Sequence, residues 1–291
     1  MKIHKTISVF SDIAVILLFG YLIIFPNEAT QPTRNALDFC AKTLIPSLFI
    51  YMVLAKIVIT LPITDKLIQK FGLETFLLIM GTLCGAPIGA KSALTLFENR
   101  RISKERAEFL CAFTNNASMS FVVGFVGNEL FGDIKIGIKL FIFQLSASAV
   151  CAVIMKFVIF GKAKLKAPNV ITATKIGLRD AVADSAMTML NLCACVVFFI
   201  IVGTSISDIL NLGNVSNAVL KSMLEFSSGC AAATKTGSFA FPIIAFALGH
   251  TGLSVVLQVR SVVANKLSIH PFLLGKLICC SLMTFFAVIF G

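Results

Sequence analysis

The chain has 291 residues, 57% of them apolar and only 13% charged, with a mean hydropathy of +0.94. Soluble domains carry about a quarter of their residues as Asp, Glu, Lys or Arg, so this composition excludes a soluble enzyme and specifies an all-α polytopic membrane protein. The net charge of +11 lies between apolar stretches, where it signals topology and not binding to nucleic acid.

In chain order, the first predicted helix is Ile7 to Phe25, preceded by Lys2, His4 and Lys5. No small-x-small cleavage site follows it, so it reads as a retained helix and not a signal peptide. A hydrocarbon core about 30 Å thick takes roughly 20 apolar residues per crossing. The next crossing is Thr43 to Ile59, approached through an amphipathic stretch from Asn35 to Lys42, and Ile63 to Lys70 reads as interfacial. Thr75 to Phe97 is apolar but interrupted by Gly81, Gly85, Pro87 and Gly89, with Lys91 inside it, which fits a re-entrant hairpin better than a crossing. A basic loop from Glu98 to Arg106 follows, in which Ser103 is placed to cap the next helix, with Glu105 in its first turn. Crossings are expected at Ala107 to Gly127 and Ile136 to Phe160, then a basic connector carrying Lys162, Lys164, Lys166, Lys175 and Arg179. The second half gives a crossing at Val182 to Gly203, an interrupted entry at Val219 to Thr236, and crossings at Ser238 to Val259 and Pro271 to Phe290.

The chain thus reads as a single integral membrane domain. It comprises an N-terminal transmembrane helix (1–34), a first repeat (35–160), the connector (161–180) and a second repeat (181–291). With the N-terminus inside, 16 basic residues fall on inner segments, whereas only Arg34, Lys42, Lys135, Lys221 and Lys235 fall outside. This asymmetry supports seven crossings and two re-entrant segments, with a cytoplasmic N-terminus and an extracytoplasmic C-terminus. Each repeat then has three crossings, so the two are inverted relative to one another, as in many transporters.

Gly85 to Ser92 is answered by Gly229 to Thr236 at an offset of 144, and Thr114 to Ser118 is answered by Gly249 to Gly252. Paired breaks in corresponding positions of two halves point to a substrate site at the midplane. An unwound backbone in lipid must be covered by protein or a wet cavity, so Gly85, Pro87, Gly89 and Gly229 are expected to face the interior. Lys91 lies one turn along the arm after Pro87, where a positive helix end favours an anionic or polar ligand; alternatively it snorkels to the cytosolic face, as Lys235 would to the outer one. Thr114, Asn115, Asn116 and Ser118 either contact ligand or hydrogen-bond neighbouring helices. His250 is a proton-coupling or a packing histidine, and Glu225 a coupling-ion or an interfacial carboxylate. Asp12, Asp184 and Asp208 lie near span ends, facing water.

Nine cysteines, Cys40, Cys84, Cys111, Cys151, Cys193, Cys195, Cys230, Cys279 and Cys280, form no CxxC or Cys/His set and read as small apolar residues, not disulfides or metal ligands. Gly85 to Ser92 falls short of a phosphate loop because Ala90 replaces the second glycine, and there is no HExxH or GxSxG. The expectation is a protein without enzymatic activity, cofactor or metal.

The runs Ile24 to Ala29, Ile45 to Phe49, Gly85 to Lys91, Phe113 to Ala117 and Gly252 to Val259 occur in an order that resembles the sporulation integral membrane protein family of the YlbJ type. The resemblance covers nearly the whole chain. It implies the nucleoside-recognition, or Gate, fold and a role in endospore formation at the plasma or forespore membrane, and Gln258, inside the last run, joins the candidate substrate-binding residues. Residues and resemblance together support a permease for a polar or anionic small solute, nucleoside-like or a spore metabolite. The alternative is a non-transporting scaffold of the spore envelope, docked through the basic loop and connector. Expected partners are the lipid bilayer, the solute, and a second copy of the chain or other sporulation membrane proteins, with no nucleic acid. A reporter fused after Lys166 should read cytoplasmic and one after Gly291 extracytoplasmic; the same compartment for both would remove the inverted-repeat arrangement.

Overall fold

In the computed structural model, residues 2–161 and 176–291 are described, and every regular element among them is helical. Lys162, Lys164, Lys166 and Lys175 of the connector lie outside the described residues. Helix α1 is Lys2–Ile24 and α2 is the 33-residue Pro26–Val58. Pro26 suits the first turn of α2, where no helical N–H bond is required. Further along, Pro46 cannot donate to Lys42, and α2 accommodates this with a π turn at Cys40–Leu44. Then come α3 (Pro62–Phe71), α4 (Leu73–Cys84), α5 (Ile88–Glu98), α6 (Lys104–Thr114), α7 (Ser120–Leu130) and α8 (Ile134–Phe160). The second half holds α9 (Leu178–Ile209), α10 (Asn214–Leu224), α11 (Phe226–Ala233), a 3-10 turn at Thr234–Phe239, α12 (Ala240–His250), α13 (Gly252–Val263) and α14 (His270–Phe290).

The halves share one order: a long helix, two short helices joined at a tight break, a helix broken in its middle, and a second long helix. In the first half these are α2, α4 with α5, α6 with α7, and α8; in the second, α9, α10 with α11, α12 with α13, and α14. Among the described residues five helical segments are long and apolar enough to cross a membrane, or six if α3 and α4, bent by 112°, form one span. Two of the seven expected crossings are interrupted, at the polar breaks legible at Thr114 to Ser118 and Gly249 to Gly252. Ala107 to Gly127 is not one helix, because α6 ends at Thr114 and Asn115 to Ser118 is extended chain. Ser238 to Val259 carries left-handed backbone at Thr251 (φ 64°), which ends α12 and starts α13. The second hairpin break is also displaced. Gly229 to Ala233 is helical, and the chain turns instead at Glu225 (φ −146°, ψ 115°), 140 residues after Gly85.

Small residues let these helices approach closely, as expected where no water drives them together. A Cβ on Gly275 of α14 would overlap the Ala112 carbonyl of α6, so the last helix of the second half lies against the broken helix of the first. The basic loop folds back on its own half: Arg101 pairs with Asp65 and Arg106 Nη2 lies 2.7 Å from Glu74 Oε1, with the two arginines only 4% and 8% exposed. Ser103 caps α6 as expected, accepting from Arg106 N at 3.2 Å. Removing one partner of a buried pair strands the other, whereas an exposed pair is worth about 0–1 kcal/mol. Arg106→Ala should therefore lower the unfolding temperature by several degrees more than Lys104→Ala, whose side chain is exposed, measured on the purified protein in detergent.

Candidate functional site

The first break is built by Asn115 and Asn116. Gly85 ends α4 at φ +81°, a conformation that favours glycine, and α4 and α5 turn back around Thr114, whose carbonyl abuts both Gly81 and Gly89. The first N–H groups of a helix have no partner within it. For α5 one such partner comes from the neighbouring broken helix: Ala90 N donates to Asn115 Oδ1 at 2.8 Å, while Asn115 Nδ2 donates to Cys111 O at 2.9 Å. Ala86 N donates to the Asn116 carbonyl at 2.8 Å. The Asn116 side chain donates to Phe113 O at 3.0 Å and accepts from Ser148 Oγ at 3.1 Å, and Gln144 Nε2 donates to Ala117 O at 2.9 Å. Both asparagine side chains are therefore engaged with neighbouring helices, the second of the two roles open for them.

The second break is held from within. Glu225 is fully buried, and its carboxylate accepts from Ser227 N at 3.0 Å, Ser228 N at 2.8 Å and the Ser227 hydroxyl, capping α11. Gly252 sits against it: a Cβ there would lie 3.1 Å from Glu225 Cα. Gly252 N donates to His250 Nδ1 at 3.1 Å, and the His250 ring stacks on Phe246 with centroids 5.6 Å apart.

The four breaks line one cavity. Its wall includes Gly85 and Ala86, Asn116 to Ser118, Glu225 with Phe226, and Thr251, together with Gln258 of α13. Its free volume for water-sized occupants is about 30 Å³, room for about two waters. Of the expected site residues, Gly85, Asn116, Ser118, Glu225 and Gln258 reach the cavity, while Pro87, Gly89, Thr114 and Asn115 form the scaffold of its wall. Four others lie elsewhere. Lys91 Nζ is 2.8 Å from Asp184 Oδ2, and Asp184, expected to face water, is also paired with Lys56, so that one carboxylate bridges α2, α5 and α9. Gly229 packs on Ser222 within the α10–α11 pair. Lys235 is exposed on the 3-10 turn, and His250 stands behind the cavity wall.

Lys276 is a site residue that sequence reasoning missed. It is 3% exposed, donates from Nζ to the Asn115 carbonyl and lies 5.9 Å from the centre of the Phe272 ring. Its signal was available, since it is the single charged residue inside α14, and an ionisable residue within a span is a functional candidate by default.

Fold and site together define an all-α polytopic membrane protein whose helices are interrupted around a cavity with a mainly apolar wall (Leu44, Leu48, Phe121, Leu192, Val196), into which a few polar groups are set. The chain is 23% identical to sporulation integral membrane protein YlbJ of Bacillus subtilis (strain 168), over 90% of its own length and 78% of that protein's. No protein-family model and no solved structure matches the chain.

A Cβ on Gly89 would overlap both the carbonyl and the hydroxyl of Thr114, whereas one on Gly124 would meet open space. Gly89→Ala should therefore force α5 off the broken helix and lower the unfolding temperature by several degrees. Gly124→Ala, measured alongside, should leave it unchanged or raised.

Proposed function

We propose that the chain is a permease-like membrane protein of endospore formation that moves a small polar solute through the cavity where its four breaks meet. The observation that carries this is the convergence of Gly85–Ala86, Asn116–Ser118, Glu225–Phe226 and Thr251 on one cavity. Helix interruptions are sustainable at membrane depth only where protein or a wet cavity covers them, and transporters place binding sites at such points. The role in sporulation rests on the likeness to YlbJ. The nucleoside-like solute class rests only on what the resemblance of the sequence runs implies.

The lining discriminates among solutes. Glu225 contributes a buried carboxylate, and Lys91 and Lys235 do not reach the cavity. This favours a neutral polar solute accompanied by a proton or a metal cation at Glu225 over an anion. A free volume of about 30 Å³ makes this the closed form of the site, which must widen to take a solute the size of a nucleoside. The reading is of transport and not catalysis, with no cofactor. A scaffold docked through the basic loop would need that loop's charge, but two of its four basic residues, Arg101 and Arg106, are buried in internal pairs.

Proteoliposomes offered nucleosides, sugars and amino acids under imposed proton and sodium gradients should show saturable uptake of one class. Glu225→Gln keeps one oxygen, which can accept from Ser228 N and the Ser227 hydroxyl but not from Ser227 N as well; with folding verified by thermal unfolding, it should lose gradient-driven accumulation while keeping exchange. Absence of saturable flux for every class, with full sporulation by cells carrying Glu225→Gln, would defeat the proposal.

A further inference from the structure

Beside the central cavity, and separated from it by two hydroxyls, lies an apolar groove. It has a volume of about 430 Å³ and is walled by Tyr51 and Leu54 of α2, Met80 and Leu83 of α4, and Met119 and Gly124 at the start of α7. Tyr51 and Leu54 are 43% and 49% exposed on the face of a helix long and apolar enough to cross the membrane, so the groove opens toward the bilayer and not toward water. Its inner end is polar. Ser120 lines it, Ser118 lines the central cavity, and the two hydroxyls are 3.1 Å apart, with Ser120 Oγ also donating to Ser47 O at 3.1 Å.

We propose that this groove is a binding site for one acyl chain of a membrane lipid. The walls give the chemistry, since an apolar concavity open at membrane depth is filled from the bilayer by hydrocarbon. One helical turn is about 5.4 Å long and about 10 Å across, so the groove's volume matches only about one turn, which favours a flexible hydrocarbon chain over a helix of another protein. A flexible chain can follow such a channel. Gly124 supports the assignment, because an added Cβ there meets nothing within 4 Å. A glycine with open space beside it, in a helix otherwise rich in Phe and Val, keeps the channel clear. The seated chain would pack against Met119, which lies between Ser118 and Ser120, and against Gly124, four residues after Ser120, and so brace the wall of the cavity from outside. This inference does not depend on transport.

The test uses the full chain in vesicles of phosphatidylglycerol and phosphatidylethanolamine doped with a phospholipid carrying a diazirine in its acyl chain. Irradiation should concentrate label on the segments around Leu83–Cys84 and Met119–Gly124. Gly124→Phe, whose Cβ meets nothing within 4 Å and whose ring would occupy the channel, should reduce that labelling about tenfold, the effect of displacing about two buried methylenes. Gly124→Leu should give a partial loss, and Gly20→Phe, also in open space but on α1, none. Label spread evenly over the exposed helices, or unchanged in both Gly124 variants, overturns the proposal. So does a Tyr51→Cys homodimer cross-link that Gly124→Phe abolishes, because it would assign the groove to a second copy.

Discussion

A peptide group left without a partner inside a membrane costs several kcal/mol, and each arrangement around the cavity answers that cost. The chain interrupts its helices at four places, and at each one the freed groups find partners within the protein. The two halves do so differently. In the first, the partners come from another element: Asn115 receives the N–H of Ala90, and the Asn116 carbonyl receives that of Ala86. In the second, Glu225 caps the helix that begins at the next residue, and His250 receives the N–H of Gly252 two residues along. One half uses neutral amides in trans, the other an acid and an imidazole in cis. That difference places a single carboxylate on the cavity wall.

The halves also interlock. Lys276 of α14 reaches the Asn115 carbonyl, and Gly275 lets α14 lie against Ala112, so the last helix of the second half holds the broken helix of the first. Within the first half, Gln144 and Ser148 of α8 grip the next two residues of the same break. A segment of four extended residues thus collects partners from α5, α8 and α14, which is what fixes a non-helical stretch in one conformation.

What could be read from the sequence was chemistry out of place. Gly85, Pro87 and the two asparagines stand out in apolar runs because glycine, proline and amides have few reasons to be there. The second hairpin was misplaced by four residues for an instructive reason. Gly229 followed by Cys and three Ala imitates the first break in letters, but small residues in membrane helices serve close packing as often as turns, and Gly229 is used against Ser222. The true break carries Glu225, which is outside the usual set of N-cap residues yet caps α11 with its side chain, so its signal is charge and not backbone freedom. The break between α6 and α7 was legible in the letters of Thr114 to Ser118 and not in hydropathy, because Asn115 to Ser118 is too short to lower the average of a roughly twenty-residue window. Lys276, Gln144 and Ser148 sit on helices that are apolar all round, so no periodicity marked which face was inward.

The same hydrogen bonds determine which parts can separate. Pulling the α4–α5 tip from the broken helix would strand the N–H groups of Ala86 and Ala90 in a buried setting, a cost of about 1–3 kcal/mol each. The α10–α11 tip is different, because Glu225 satisfies Ser227 and Ser228 within its own element. Its contact with Gly252 is one of close packing, so moving away exposes no new unpaired peptide at the tip. Asp184 joins Lys56 and Lys91 in a largely buried cluster that ties α2, α5 and α9 together, and taking one partner out of such a cluster leaves another charge uncompensated. The buried amide network around Asn115 and Asn116 and this charge cluster are the fixed sides of the site; the Glu225 hairpin is the side the chain can release at least cost.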